Sequence, residues 1–113
     1  MRLELRTRRL TLDPRMQETC ERHLFHSLGR LADRIARVQL WMEDVNGPRG
    51  GRDLRCVLRV CPHRGGAITI EALAERAEVA VGEVFHRART ALLRALQRRR
   101  RGPMRRRPRM VLS

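Results

Sequence analysis

The chain has 113 residues, of which 42% are hydrophobic and 34% charged, and its formal net charge is +14. A chain of this length forms a single domain with one core, and without an apolar run of about 18 residues it has no transmembrane helix. The N-terminal segment MRLELRTRRLTLD lacks the apolar stretch of a secretory signal. We therefore expect a cytoplasmic protein that does not act at a membrane.

The positive charge is concentrated near the C-terminus. Residues 84–113 contain eleven arginines and no acidic residue, whereas residues 1–83 contain fifteen arginines and twelve acids. This distribution favours contact with a polyanion, nucleic acid above all, because the guanidinium group binds phosphate through two hydrogen bonds at once. The alternative is a solvated arginine tail in a protein from a GC-rich genome, and the absence of lysine is typical of such a bias.

Hydrophobic periodicity predicts four strands and two helices. Each strand has one apolar face, because polar and apolar side chains alternate along it. The first helix begins at Asp13 and Pro14, an N-cap followed by a proline in the first turn. Gly82 in the second helix costs about 1 kcal/mol relative to alanine, which indicates a close contact with another helix. The predicted elements are a strand over 2–7, a helix over 14–33, strands over 36–45, 54–60 and 68–72, and a helix over 76–99.

This order predicts an α+β fold, β-α-β-β-β-α, with a four-stranded mixed sheet and two helices packed on one face. The first two strands flank a helical crossover and should be parallel. The later strands are joined by short turns, including the glycine-rich segment 46–51, and should be antiparallel. The other face of the sheet is then open and polar. We assign residues 1–98 to this domain and residues 99–113 to a basic disordered tail.

Three segments resemble one protein family. They are LRTRRLTLDPRMQETCERHL near the N-terminus, RIARVQLWMEDVNGPRGGRDLRCVLRV across the central strands, and the stretch from Gly65 to Leu96. Together they are similar to the ribosome hibernation-promoting factor and ribosome-associated inhibitor family, also called sigma-modulation proteins. The likeness covers roughly residues 2–98 and is to the short form, so we expect no C-terminal dimerisation domain and no required oligomer.

The resemblance implies binding to the small ribosomal subunit and its rRNA at the decoding region, where such proteins obstruct messenger and transfer RNA. It implies no cofactor and no small-molecule substrate. Members often carry Asp-x-Tyr just before the second helix, where this chain has Arg76, Ala77 and Glu78, so a contact through that tyrosine is absent here. The RNA-binding positions that carry over are Arg8, Arg22, Arg30, Arg87, Arg94 and Arg98.

The arginine spacing supports such a surface independently of the resemblance. Arg87, Arg94 and Arg98 recur at i, i+7 and i+11, which places them on one side of the second helix. Arg22 and Arg30 are two turns apart on the first helix. If the two helices lie side by side, these residues form one cationic strip that contacts phosphates. The alternative is that each arginine only solubilises its own helix.

The sequence offers little for catalysis or metal binding. The four histidines have no serine or cysteine partner at a telling spacing, and we predict no enzyme activity. Cys56 and Cys61 lie on opposite faces of one predicted strand and cannot share a metal. We expect reduced thiols, two of them buried. On the open sheet face Trp41 could stack on a base or pack against arginine stems, of which we favour the second.

Two other functions remain open. One is a general binder of double-stranded RNA or other nucleic acid, which would have comparable affinity for any duplex RNA. The other is a protein–protein module whose basic tail serves only solubility, which would bind its partner even at high salt.

Overall fold

A computed structural model describes residues 1–45 and 53–112 of the chain, with side chains described as far as Arg98. The predicted turn over 46–51 lies outside the described residues. The elements are β1 (Leu3–Arg8), α1 (Pro14–Leu28), a short 3-10 helix (Gly29–Arg34), β2 (Ile35–Asp44), β3 (Leu54–Pro62), β4 (Ile68–Ala74) and α2 (Ala77–Leu112). No helix among these residues is long and apolar enough to cross a membrane.

The sheet has the strand order β1-β2-β3-β4. β1 runs parallel to β2, with Leu5 opposite Leu40, and the two later pairings are antiparallel. The helix between β1 and β2 allows the parallel pairing, while short connections fix the antiparallel ones. The predicted α+β fold, β-α-β-β-β-α with both helices on one face of a four-stranded mixed sheet, is confirmed.

The core lies between this sheet and the two helices. Its members are fully or almost fully buried apolar side chains at the positions that the two periodicities predicted. α1 contributes Cys20, Leu24 and Leu28, the sheet contributes Val38, Leu40, Met42, Cys56, Leu58 and Val60, and α2 contributes Val81, Val84, Phe85, Ala88 and Leu92. Since each strand buries only alternate residues, the remaining side chains form an outer sheet face that no described helix covers.

The boundaries of α1 follow from its capping residues. The Asp13 carboxylate accepts a hydrogen bond of 2.7 Å from the Met16 amide, and Pro14 occupies the first turn, as predicted. The α-helix ends at Leu28, and the chain continues as a 3-10 helix from Gly29 instead of the single helix expected to residue 33. Glycine weakens the α-helix at this point, and the tighter 3-10 turn is a common way for a helix to end.

The backbone of α2 is helical to Leu112, whereas the sequence pattern ends the helix at about Arg99. Apolar periodicity stops near Gln97, and arginine is a good helix former, which accounts for a continuation through Arg101. Gly102, Pro103 and Pro108 are poor helix formers, so propensity does not account for the helix beyond that point. The division of the chain into a domain over 1–98 and a tail over 99–113 stays a prediction.

Candidate nucleic-acid interface

The two helices touch each other through a histidine. The His23 ring of α1 stacks on Phe85 of α2 with a centroid separation of 6.2 Å. Its Cε1 atom lies 3.4 Å from the place where a Cβ on residue 82 would stand, so Gly82 does mark a close helix contact. Burial, assisted by the charges of Arg22 and His26, holds the pKa of His23 below its ordinary value of 6.5. This ring is therefore mostly neutral at pH 7.

Beside this contact an open groove of about 420 Å³ lies between the two helices. One wall comes from the end of α1 and the 3-10 helix, and the other comes from α2. The lining residues are His26, Ser27, Arg30, Leu31, Arg89 and Leu93. The groove thus brings the predicted contact Arg30 together with Arg89, a second guanidinium from the other helix, and carries no carboxylate among its described lining.

The sequence reasoning missed Arg89. It follows Gly82 by seven residues, which is two helical turns, so the two positions share one side of α2. Since Gly82 was already identified as a helix-contact position, the same spacing could have placed Arg89 on the side that faces α1. Arg89 does not belong to the i, i+7, i+11 pattern of Arg87, Arg94 and Arg98.

Arg87 occupies the opposite flank of α2, next to the edge strand β4. Its Nη1 donates a hydrogen bond of 2.8 Å to the backbone carbonyl of Glu71, and the same atom lies 3.9 Å from Oε1 of Glu83. The sequence interpretation left this arginine free for RNA because no acid follows Glu83. In the structure it fastens α2 to the exposed edge of the sheet and retains only part of its hydrogen-bonding capacity.

Arg94 and Arg98 follow Arg87 on that flank by helical spacing, and both are exposed. Neither has an ion-pair partner within the described part of the chain. Arg22 on α1 is also exposed and donates only to the Thr19 hydroxyl, at 3.4 Å. The helix arginines therefore form two groups, one at the groove and one on the β4 flank, instead of one continuous strip.

Arg8 lies apart from both groups. It ends β1, opposite Glu43 in the parallel register, and by strand alternation it belongs to the outer sheet face. The sheet therefore separates Arg8 from the helix arginines, and it can share a ligand with them only around the β1 edge.

The outer sheet face is a mixture of paired charges and apolar side chains. Glu4 accepts a hydrogen bond of 2.9 Å from Gln39 and lies 3.8 Å from Arg37; the hydrogen bond from Gln39 is the main reason that the Glu4 pKa falls below its ordinary value. Arg55 and Glu71 form an ion pair at 2.6 Å, and this hydrogen bond raises the pKa of Arg55. Two arginines of this face, Arg37 and Arg55, thus lie beside carboxylates.

The thiols and histidines do not assemble into a reactive centre. Burial raises the pKa of Cys20 to about 11 and that of Cys56 to about 12, so both are protonated thiols at neutral pH. Cys61 is half-buried and opposes Arg37 in the β2–β3 register. Across residues 1–45 and 53–112, His, Cys, Asp and Glu side chains form no cluster of three or more that could hold a metal ion.

Glu78 stands where the family that the sequence resembles often carries a tyrosine. It is exposed in the first turn of α2, where a negative charge interacts favourably with the positive end of the helix dipole. The substitution therefore gives α2 a favourable start and removes an aromatic group from this surface.

Comparison with known proteins gives no match to any protein-family model and none to a curated protein. The fold, however, is shared with solved structures. A ribosomal subunit interface protein from Coxiella burnetii superposes with a TM-score of 0.73 at 16% identity, covering 86% of this chain and 99% of that one. The N-terminal domain of Thermus thermophilus Protein Y superposes with a TM-score of 0.67 at 19% identity, covering 80% of this chain and 93% of that one. Both are hibernation-promoting factor family members, so the predicted resemblance is confirmed for the fold.

Proposed function

We propose that this chain is a ribosome-associated translation inhibitor, or hibernation factor. It binds the small ribosomal subunit and its rRNA at the decoding region and blocks access of messenger and transfer RNA. The observation that carries the proposal is the fold shared, over 86% of this chain, with a ribosomal subunit interface protein. The charge of the helix layer is what gives this fold an affinity for RNA here.

The helix layer suits an RNA surface for an electrostatic reason. The layer consists of α1, the 3-10 helix and α2. It presents four arginines without ion-pair partners among the described residues: Arg30 of the 3-10 helix, and Arg89, Arg94 and Arg98 of α2. Guanidinium groups that are not already neutralised release counterions from the RNA when they bind phosphate, which favours association at low and moderate salt. We assign the main contacts to these residues together with Arg22, while Arg87 adds a weaker contact and Arg8 touches RNA that passes the β1 edge.

Inhibition requires only occupancy. A rigid domain that fills the path of messenger and transfer RNA prevents initiation as long as it stays bound, so the protein needs no cofactor, no substrate and no catalytic group. The site of action is the cytoplasm, where ribosomes are. Translation should recover when the protein dissociates, for example at raised salt.

The test is co-sedimentation of the purified protein with small subunits, large subunits and whole ribosomes, and separately with a generic duplex RNA, at low and moderate salt. We expect selective migration with small subunits and whole ribosomes that persists at moderate salt, and inhibition of translation in a reconstituted system. Equal and salt-labile binding to every RNA would replace the proposal by a general nucleic-acid binder. Binding that is indifferent to salt would indicate a protein partner instead.

A further inference from the structure

The groove between the helices has a chemical character different from that of the surrounding surface. Its rim is cationic, with Arg30 on one wall and Arg89 on the other, and its lining includes two leucines. Leu93 is 37% exposed although it is a large apolar residue. A surface that meets only the phosphates of a duplex needs the cations but has no use for exposed leucine.

The size and composition of the groove suit a small unit of RNA. Binding pockets for small ligands have volumes of about 300–1,000 Å³ and combine apolar walls with a few polar groups; this groove measures about 420 Å³. Proteins read RNA mainly where bases are unstacked and can leave the helix. A nucleotide extruded from a loop offers one phosphate for the rim. For the leucines it offers the apolar face of its base or the C–H groups of its ribose.

We infer that this groove binds one unstacked nucleotide of RNA, with its phosphate between Arg30 and Arg89 and its base or ribose on Leu31 and Leu93. Ser27 adds a hydroxyl that can donate to or accept from the nucleotide. The inference rests on the proposed function in that the nucleotide belongs to the RNA of the small subunit. It assigns to Arg89 and Leu93 a role that the spacing of the helix arginines does not indicate.

The first experiment measures binding of three variants of the full chain to purified small subunits. Arg30→Gln and Arg89→Gln should each weaken binding about tenfold and reduce the slope of log K against log salt by about 0.7, because each loses one phosphate contact. Leu93→Ser should weaken binding about fivefold and leave the salt slope unchanged, because it removes a contact with a base and no charge.

The matched control is Arg59→Gln, which removes the same charge from the exposed outer sheet face. It should change the affinity by less than about twofold, since screening weakens interactions beyond about 10 Å. Chemical denaturation of every variant separates loss of binding from loss of folding. The inference is overturned if Arg89→Gln binds like Arg59→Gln, or if folded Leu93→Ser binds like the wild type.

The second experiment follows the backbone amides of the full chain by NMR during titration with adenosine 5′-monophosphate and, separately, with inorganic phosphate. The nucleotide should move the amides of Ser27, Leu31 and Leu93, and phosphate alone should move them much less. Equal shifts from both would reduce the groove to an anion site and overturn the inference. If wild-type chain fails to bind small subunits selectively while the nucleotide shifts persist, the proposed function fails and the groove assignment stands.

Discussion

The two outward surfaces of the domain, the outer sheet face and the helix layer, differ in which groups lie next to their arginines. On the outer sheet face Arg55 is held by Glu71 at 2.6 Å and Arg37 lies 3.8 Å from Glu4. On the C-terminal half of the helix layer Arg89, Arg94 and Arg98 have no ion-pair partner in the region that the structure describes. The number of arginines on a surface is therefore a poor guide to its affinity for RNA. We expect the affinity to depend on how many of them remain without a carboxylate.

The difference follows from the sequence of each element. The strands alternate polar and apolar residues, and acids occupy outward positions next to arginines on the neighbouring strand, as Glu71 does beside Arg55. Cross-strand pairs of opposite charge stabilise the sheet. Helix α2 has no acid after Glu83, which lies beside Arg87, so Arg89, Arg94 and Arg98 stand beyond the last carboxylate of their own helix. Among the described residues, carboxylates thus lie beside Arg37 and Arg55 on the sheet face and not beside Arg89, Arg94 and Arg98 on the helix layer.

The largest expected effect is a difference in thiol reactivity between the outer face of the sheet and the core. Cys61 is half-buried, whereas Cys20 and Cys56 are fully buried. At pH 8 a thiol reagent should modify Cys61 at least about a thousandfold faster than the other two, because these react only after the fold opens at a cost of several kcal/mol. Mass spectrometry of partially labelled protein measures the ratio; comparable rates for the three would mean that the core is not closed.

The same two thiols predict how stability depends on alkaline pH. Their folded pKa values of about 11 and about 12 lie above the ordinary value of 9.0, so the folded chain holds protons that the unfolded chain loses. Their contribution is complete below pH 9 and is lost as pH rises toward 12. Urea unfolding at pH 8 and at pH 10 should show lower stability at pH 10. Cys20→Ser with Cys56→Ala, if folded, should flatten this dependence, and an unchanged slope would exclude the thiols as its cause.

The next effect tests the two surfaces against each other. Replacing Arg89, Arg94 and Arg98 together by glutamine should weaken small-subunit binding roughly 1,000-fold, since three contacts of about 1.4 kcal/mol each are lost. The salt slope should fall by about 2. Competition against labelled wild-type protein measures both quantities.

Its control is the triple exchange of Arg6, Arg37 and Arg59 for glutamine on the outer sheet face. The two variants have the same net charge, so a general attraction to RNA would weaken both equally. We expect less than about a threefold change for the sheet variant. Equal losses would show that the domain binds through its total charge and would contradict the contrast between its surfaces.

A smaller effect concerns the C-terminal arginines. Removing residues 100–113 takes away six arginines and leaves in place every buried core residue among the side chains described, the last of which is Leu92. We expect an unchanged denaturation midpoint, about a tenfold weaker affinity at moderate salt, and a flatter salt dependence because fewer counterions are released. An unchanged slope would show that this segment does not touch RNA.

Much of the fold could be predicted because it depends on short-range patterns. Asp13 with Pro14 starts α1, alternation identifies the strands, and the helical crossover dictates the parallel pair. The end of α1 was harder to predict, because Gly29 is compatible both with a continued α-helix and with the tighter 3-10 turn that forms. The end of α2 depends on whether arginines continue a helix that has no buried face, which periodicity cannot decide.

The site was harder to predict because it depends on which helix flank faces which neighbour. The spacing of Arg87, Arg94 and Arg98 correctly indicates a shared side of α2. It does not reveal that this side adjoins β4, where Arg87 meets the Glu71 carbonyl. Nor does helical spacing alone bring Arg30 to Arg89, since their meeting depends on how α1 packs beside α2. Gly82 was the residue whose type indicated the side of α2 that packs against α1.

Arg87 tests whether an arginine on this flank stabilises the fold or serves only to bind, with an expected change of about 1 kcal/mol in the free energy of unfolding. Arg87→Gln should destabilise the fold by about that amount, because it loses the hydrogen bond to the exposed edge of β4. Arg94→Gln removes the same charge from the same flank and should change stability by less than about 0.5 kcal/mol. Urea unfolding of both variants measures the difference. If the two are equally stable, Arg87 is not a structural residue and belongs entirely to the binding surface.

The smallest effect concerns the contact between Gly82 of α2 and His23 of α1. Gly82→Ala gains up to about 1 kcal/mol of helix propensity, but its new Cβ would stand 3.4 Å from His23 Cε1, at the near limit of ordinary contact. We expect a net stabilisation of about 0.5 kcal/mol. The control is the difference in stability between Thr90→Ala and Thr90→Gly, at an exposed position of the same helix. It gives the gain in helix propensity from glycine to alanine where no side chain such as His23 lies close. If Gly82→Ala destabilises the chain instead, the histidine cannot yield, and the separation of the helices, and with it the width of the groove, is fixed by this one contact.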